Sequence, residues 1–232
     1  MDAWAKARYA MVKQQLAQRG IADRAVLDAM REIPREEFVA PALAESAYED
    51  SPLPIDEGQT ISQPYIVARM AEALQLGPDD RVLEVGAGSG YAAAVLGKVA
   101  REVYAIERHE ALAGSAAERC RRLGYDNVHV RHGDGSLGWP EAAPFDAIVV
   151  AASGPDVPEP LVDQLAPGGR LLIPVGATRD DQELVRVTRG EDGETHRERL
   201  DLVRFVPLVG AGGWTEAGER AATAKPRRPT PA

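Results

Sequence analysis

The amino-acid sequence predicts an α/β protein built on a doubly wound, mostly parallel sheet. Three observations predict it. From Arg81 onward, short runs rich in Val, Ile and Leu alternate with segments of helical periodicity. The first of these runs, RVLEVG, passes into a glycine-rich turn and then a helix. Residues 1–55, by contrast, show only helical patterns and proline-rich connections, which predicts a helical cap ahead of the sheet.

In the cap, Trp4, Tyr9, Val12 and Leu16 recur at helical spacing until Gly20 ends the pattern. Asp23 is placed to cap a second helix, AVLDAMREI, which must stop before Pro34. Prolines 34, 41, 52 and 54 then break the chain into loop and short turns. This region reads either as a structural layer or as a lid over a site. After it, the polar loop GQTISQP leads into another helix.

The runs RVLEVG, EVYAIE, NVHVRHG, FDAIVVAA and RLLIPVG are the predicted parallel strands. Apart from NVHVRHG they are rich in Val, Ile and Leu, as strands covered on both faces must be. YAAAVLGKV, EALAGSAAERCRRLG and PEPLVDQL supply helices between them. Right-handed crossovers then align the C-terminal strand ends along one edge, where ligands bind in a Rossmann-like sheet. Beyond Gly176, ELVRVTR, the turn GEDG and a strand LVRFVPLV predict an antiparallel extension. Pro207 puts that last strand near an edge. The expected organisation is one domain over 1–210, with a 1–55 cap and a 56–210 core. Residues 211–232, rich in Gly, Ala, Pro and charge, read as a disordered tail.

Composition narrows the function. The 232 residues are 44% hydrophobic and 27% charged, an ordinary balance for one large globular domain. The net charge of -9 argues against a protein that tracks nucleic-acid phosphates. No run approaches the roughly 18 apolar residues of a membrane span, and the N-terminus has no signal-peptide pattern. The single cysteine, Cys120, excludes an internal disulfide and sits in a helical pattern as a core residue. A cytoplasmic monomer is expected. His109, His129, His132 and His196 show no metal-ligand spacing, so no metal is expected.

The chemistry gathers at three successive strand ends. In VLEVGAGSG, Gly86, Gly88 and Gly90 allow a sharp turn and close approach of a ligand to the main chain. The turn carries no lysine, so it is not a P-loop, and Tyr91 stands where a dinucleotide fingerprint has its third glycine. Glu107 ends the second strand, where a carboxylate can accept from both hydroxyls of a ribose or simply be solvated. GDG at 133–135 ends the third strand: Asp134 can accept from an adenine amino group or merely make an Asp-Gly turn. Together these describe a pocket for an adenosine that bears no pyrophosphate.

This pattern resembles the class I S-adenosylmethionine-dependent methyltransferases. The resemblance implies S-adenosyl-L-methionine as cofactor, with Gly86, Gly88 and Ser89 against its methionine portion, Glu107 on the ribose, and Asp134 with Gly135 at the adenine. Glu84, inside the motif strand, would orient the turn or meet the cofactor's amino group. GQTISQPYIVARM, together with VLDAMREIPREEFV upstream and VRFVPLV near the C-terminus, is further similar to the protein-L-isoaspartate O-methyltransferase family, over about residues 5–209. Against that pattern the loop SGPDVPEP is unusually acidic and proline-rich, and residues beyond Gly210 have no counterpart.

What that resemblance implies is repair. The free α-carboxylate of an L-isoaspartyl residue in a damaged protein or peptide is methylated, the ester closes to a succinimide, and hydrolysis returns some normal aspartate. The acceptor carboxylate, with a pKa near ~4, is already ionised at neutral pH, so no general base is needed. Rate then comes from placement and exclusion of water. A neutral hydroxyl can orient the acceptor oxygen without quenching it, which makes Ser62 the candidate catalytic residue, with Gln59 and Thr60 beside it and Val206 offering a strand for an extended peptide. Ser-Gln-Pro is equally a helix-capping pattern. The rival readings are carboxyl methylation of a dedicated biosynthetic peptide, a small-molecule or RNA methyltransferase, and an adenosine-binding module without catalysis.

Overall fold

The computed structural model describes residues 2–178 and 181–218. The first helix, α1 (Ala3–Ala10), continues as a π-helical turn over Met11–Leu16 and ends at Gly20 in a left-handed conformation. Its apolar face buries Met11, Val12 and Leu16. Asp23 caps α2 (Arg24–Glu32) by accepting the Val26 N–H at 3.1 Å. Two 3-10 segments, Arg35–Phe38 and Pro41–Ser46, fill the proline-rich stretch as expected.

One element was not foreseen. Leu53–Pro54 (β1) pairs antiparallel with Thr60–Ile61 (β2), so the polar loop is one arm of a small hairpin. Its tip holds Glu57 and Gly58 at positive φ. The helix α3 (Pro64–Ala73) follows directly.

The main sheet comprises β3 (Arg81–Val85), β4 (Glu102–Glu107), β5 (Val128–His132), β6 (Phe145–Val150), β7 (Leu165–Val175), β8 (Gln182–Arg189) and β9 (Thr195–Val203). Their order is β5-β4-β3-β6-β7-β8-β9, parallel through β7 and antiparallel for β8 and β9. Helices α4 (Tyr91–Val99), α5 (Glu110–Arg122) and α6 (Glu159–Asp163) connect the parallel strands. The chain leaves β3 toward β4 and returns on its other side as β6, which opens a crevice at the C-terminal end of β3. One apolar cluster joins the cap (Val12, Met30, Phe38) to α3, α4 and the strands beneath; a second fills the opposite face around Phe145, Leu161 and Leu171. The cap is therefore part of the core on one face of the sheet.

Two expectations are corrected. The last strand is Thr195–Val203, not LVRFVPLV. Residues 204–209 leave the sheet and bridge to Ser153 after β6, where the Ser153 N–H donates to the Val206 carbonyl at 2.7 Å and the Leu208 N–H to the Ser153 carbonyl at 2.8 Å. Pro207, which has no N–H to give a ladder, faces Ser153 between those two bonds. Part of the predicted disordered tail is also folded: the Trp214 N–H donates to the Leu208 carbonyl at 2.7 Å and its indole Nε1–H to the Ser153 carbonyl at 2.9 Å. Its glycines make this compact: a Cβ on Gly213 would fall 2.1 Å from the Leu208 carbonyl oxygen. Residues 219–232 of that tail lie outside the described residues.

Candidate active site

At the C-terminal end of β3 the chain turns through Gly86 (φ 93°), Gly88 (φ 52°) and Gly90 (φ 86°) into α4. The turn is tied to the neighbouring strand, since the Gly86 and Ala87 N–H groups both donate to the Ile106 carbonyl, at 2.8 and 3.1 Å. At Gly90 a side chain would be strained by φ and would press on Ala116 and the Cys120 sulfur, each 3.3 Å away. That contact is where α5 packs on the turn. Burial pushes the Cys120 thiol up to about 11, with the Glu84 charge adding, so at neutral pH it is an inert core group.

Over the turn lies a cavity that opens to solvent. Gln59, Thr60 and Ser62 line it from the hairpin side; Glu84, Gly86, Gly88 and Ser89 from the glycine turn; Glu107 from β4; Gly135 from the end of β5; and Val206 from the segment bridged to Ser153. Residues from five separate parts of the sequence thus converge on one cavity. Asp134 stands beside the cavity and does not line it. Its Oδ1 accepts from the Ser136 N–H at 2.9 Å and the Ser136 hydroxyl at 2.6 Å, and its Oδ2 from the Ala211 N–H at 2.7 Å.

Two carboxylates face the turn. Glu107, 5% exposed, accepts the Gly88 N–H on Oε2 at 2.9 Å and the His109 N–H on Oε1 at 3.0 Å. Glu84 is 1% exposed, and its Oε2 is buried without a hydrogen-bond partner. Burial, reinforced by the Glu107 charge, pushes the Glu84 carboxyl well above the usual carboxylate range. An orphaned buried acceptor beside a main-chain turn is a site made for a ligand's donor group. The glycine turn, Glu84 and Glu107 therefore fit the amino-acid and ribose portions of an S-adenosyl compound.

Ser62 is not a helix cap. The residue at the cap of α3 is Gln63, and no side chain bonds the first turn. The Ser62 carbonyl accepts from Arg35 at 2.8 Å, and the residue lines the cavity. Three neighbours escaped the sequence reading. Tyr91, buried in the cavity wall, reads in sequence only as the residue that replaces a dinucleotide fingerprint's third glycine, not as part of a site. Ile55, whose Cδ1 lies 3.4 Å from the Cβ position of Gly88, sits in a proline-rich run. Trp214, an aromatic in a glycine-rich stretch, was the available signal that this stretch folds.

Comparison with known proteins decides the family. The family model described as protein-L-isoaspartate(D-aspartate) O-methyltransferase matches residues 6–213. The chain belongs to that family. A protein-L-isoaspartate O-methyltransferase 2 from Pelobacter propionicus is 60% identical over 207 residues, covering 89% of this chain and 92% of the relative. A solved protein-L-isoaspartate O-methyltransferase is 32% identical with a TM-score of 0.80, covering 89% of this chain and 67% of that one. A Plasmodium falciparum protein-L-isoaspartate O-methyltransferase, solved in complex with S-adenosyl-L-homocysteine, is 31% identical with a TM-score of 0.74, covering 87% of this chain and 98% of that one.

As a family member the chain is an S-adenosylmethionine-dependent methyltransferase of isoaspartyl residues, as its sequence motifs implied. The match to residue 213 carries the family pattern past Gly210 into the folded turn. Among the described residues no group of His, Cys, Asp and Glu is placed to hold a metal, and no helix is long and apolar enough to cross a membrane.

Proposed function

We propose that this protein-L-isoaspartate O-methyltransferase methylates the free α-carboxylate of L-isoaspartyl residues at the cavity above Gly86–Gly90, with Ser62 orienting the acceptor oxygen. The observation that supports it is the position of Ser62: it lines the cavity across from the glycine turn and caps nothing. S-adenosylmethionine, when bound, supplies a methyl on a sulfonium that needs no further activation.

The protein's own groups do the rest. Glu84 and the Gly86–Ser89 main chain hold the amino-acid end, Glu107 the ribose hydroxyls, and Gly135 with Asp134 the adenine side. The Ser62 hydroxyl donates to one acceptor oxygen and leaves the other lone pairs directed at the methyl, with Gln59 and Thr60 holding the same loop. A neutral donor here keeps the carboxylate nucleophilic, whereas an ion pair would tie up its charge. Ile61, Val67, Tyr91 and Leu208 make the walls apolar and limit water, so a carboxylate held there loses competing hydration. The segment at Val206, held to Ser153 by main-chain bonds, is the proposed edge for an extended peptide.

Ser62→Ala tests this reading. Turnover on an isoaspartyl peptide falls by about tenfold or more, as expected from lost orientation, while the dissociation constant for S-adenosylhomocysteine barely changes. Undiminished turnover would remove Ser62 from the reaction.

A further inference from the structure

Arg35 comes from the helical cap and is fully buried, with 0% of its surface exposed. Among the described residues no carboxylate lies within ion-pair distance of it. Its hydrogen bonds go to main chain: Nε donates to the Ala47 carbonyl at 2.7 Å and Nη2 to the Ser62 carbonyl at 2.8 Å. Its guanidinium carbon stands 4.7 Å from the centre of the Tyr91 ring. That ring is held in turn by Phe38, edge-on at 5.4 Å, and its hydroxyl contacts the Met30 sulfur at 3.3 Å.

A guanidinium in such apolar surroundings is expensive to desolvate, and burial lowers its pKa accordingly. A side chain needed only for volume here would be apolar. What arginine adds is a rigid planar fork with donors in fixed directions, which lysine lacks. One tine reaches the loop that carries the proposed acceptor-orienting hydroxyl, and the guanidinium carbon lies over the ring of Tyr91, the first residue after the glycine turn. Arg35 therefore joins the two walls between which the methyl must pass. Its grip on the Ser62 carbonyl fixes the plane of the 62–63 peptide at a point where no side chain caps the following helix.

We infer that Arg35 is a positioning residue for methyl transfer, setting from the cap the direction of the Ser62 hydroxyl relative to the glycine turn. This rests on the Ser62 reading above. The cap is thereby a working part of the active site, and its packing transmits directly to the acceptor wall.

The test is a double-mutant cycle on the full chain, with Arg35→Lys and Ser62→Ala alone and together. Turnover is normalised to the protein that binds one equivalent of S-adenosylhomocysteine. Arg35→Lys is expected to lower kcat on an isoaspartyl peptide by about tenfold, with KM and the S-adenosylhomocysteine dissociation constant within about twofold of the parent. In the Ser62→Ala background the same change should cost less than about twofold, because the hydroxyl it aims is gone. Arg35→Gln, which keeps a donor without a charge to bury, is read the same way and covers the case in which Arg35→Lys does not fold. Unchanged kcat, or an equal loss with and without the Ser62 hydroxyl, overturns the inference. If Ser62→Ala alone is fully active, the failure is that of the Ser62 reading and not of Arg35's hold on the loop.

Discussion

Glu107 closes the glycine turn from the neighbouring strand: its Oε2 accepts the Gly88 N–H at 2.9 Å, while its Oε1 accepts the N–H of His109, two residues on, at 3.0 Å. One carboxylate thus fixes the turn and presents its remaining lone pairs to the cavity. Replacing it by alanine should act twice. The half-buried Gly88 N–H loses its acceptor, which costs about 1 kcal/mol of stability, and the proposed ribose contact is removed. Calorimetry with S-adenosylhomocysteine is expected to show a rise of about tenfold or more in dissociation constant for Glu107→Ala. Glu107→Gln, which retains a carbonyl for Gly88, should restore most of the melting temperature and less of the affinity. Unchanged affinity in Glu107→Ala would sink the ribose assignment.

Glu84 predicts a pH dependence. Its folded-state pKa is raised by burial and then by Glu107, whereas in the unfolded chain it titrates near ~4.3. Between those values the native protein holds a proton that the unfolded chain has lost. The contribution of this group to stability is therefore complete below the unfolded value and is lost as pH climbs toward the folded one. Without ligand, the wild-type chain should lose more stability than Glu84→Gln does as pH rises above the ordinary carboxylate range, as read by thermal unfolding at each pH. Parallel curves for the two proteins would show that Glu84 is already ionised in the fold.

The centre of the parallel sheet was legible because β6 (FDAIVV) and the end of β7 (RLLIPV) are dominated by Val, Ile, Leu and Ala, as strands covered on both faces require, whereas the outer strand VHVRH carries three polar side chains in five. That Glu84, Glu107 and Gly135 lie near one another was legible because a parallel sheet brings its strand ends together regardless of what lies between them, whereas Ser62 and Val206 reach the cavity from outside that sheet. The errors fall where polar residues are ordered by tertiary contacts. THRERLDLV carries five charged or imidazole side chains on an edge strand and did not register as a strand, so the apolar LVRFVPLV took its place. Leu53–Pro54 and Thr60–Ile61 are two residues each, too short for any periodicity to show. Arg35 stands in REEF beside two glutamates, which reads as a solvated face; only the fold reveals that it turns inward to Ala47 and Ser62.

The turn after Val209 gives the last prediction. A Cβ on Gly210 would fall 2.1 Å from Asp134 Oδ1 and 2.6 Å from its Cγ. Asp134 has little room to yield, since it is held by Ser136 through both N–H and hydroxyl and by the Ala211 N–H. Gly210→Ala must therefore displace either the carboxylate or the turn, and both border the Gly135 corner of the cavity. The dissociation constant for S-adenosylhomocysteine is expected to rise by about tenfold, with a loss of roughly 1–3 kcal/mol in stability from overpacking. Gly114→Ala is the matched control: it lies on α5, has open space around its Cβ position and should stabilise the helix by up to about 1 kcal/mol without touching affinity. If Gly210→Ala binds as tightly as Gly114→Ala, the C-terminal turn does not shape the adenine side of the site.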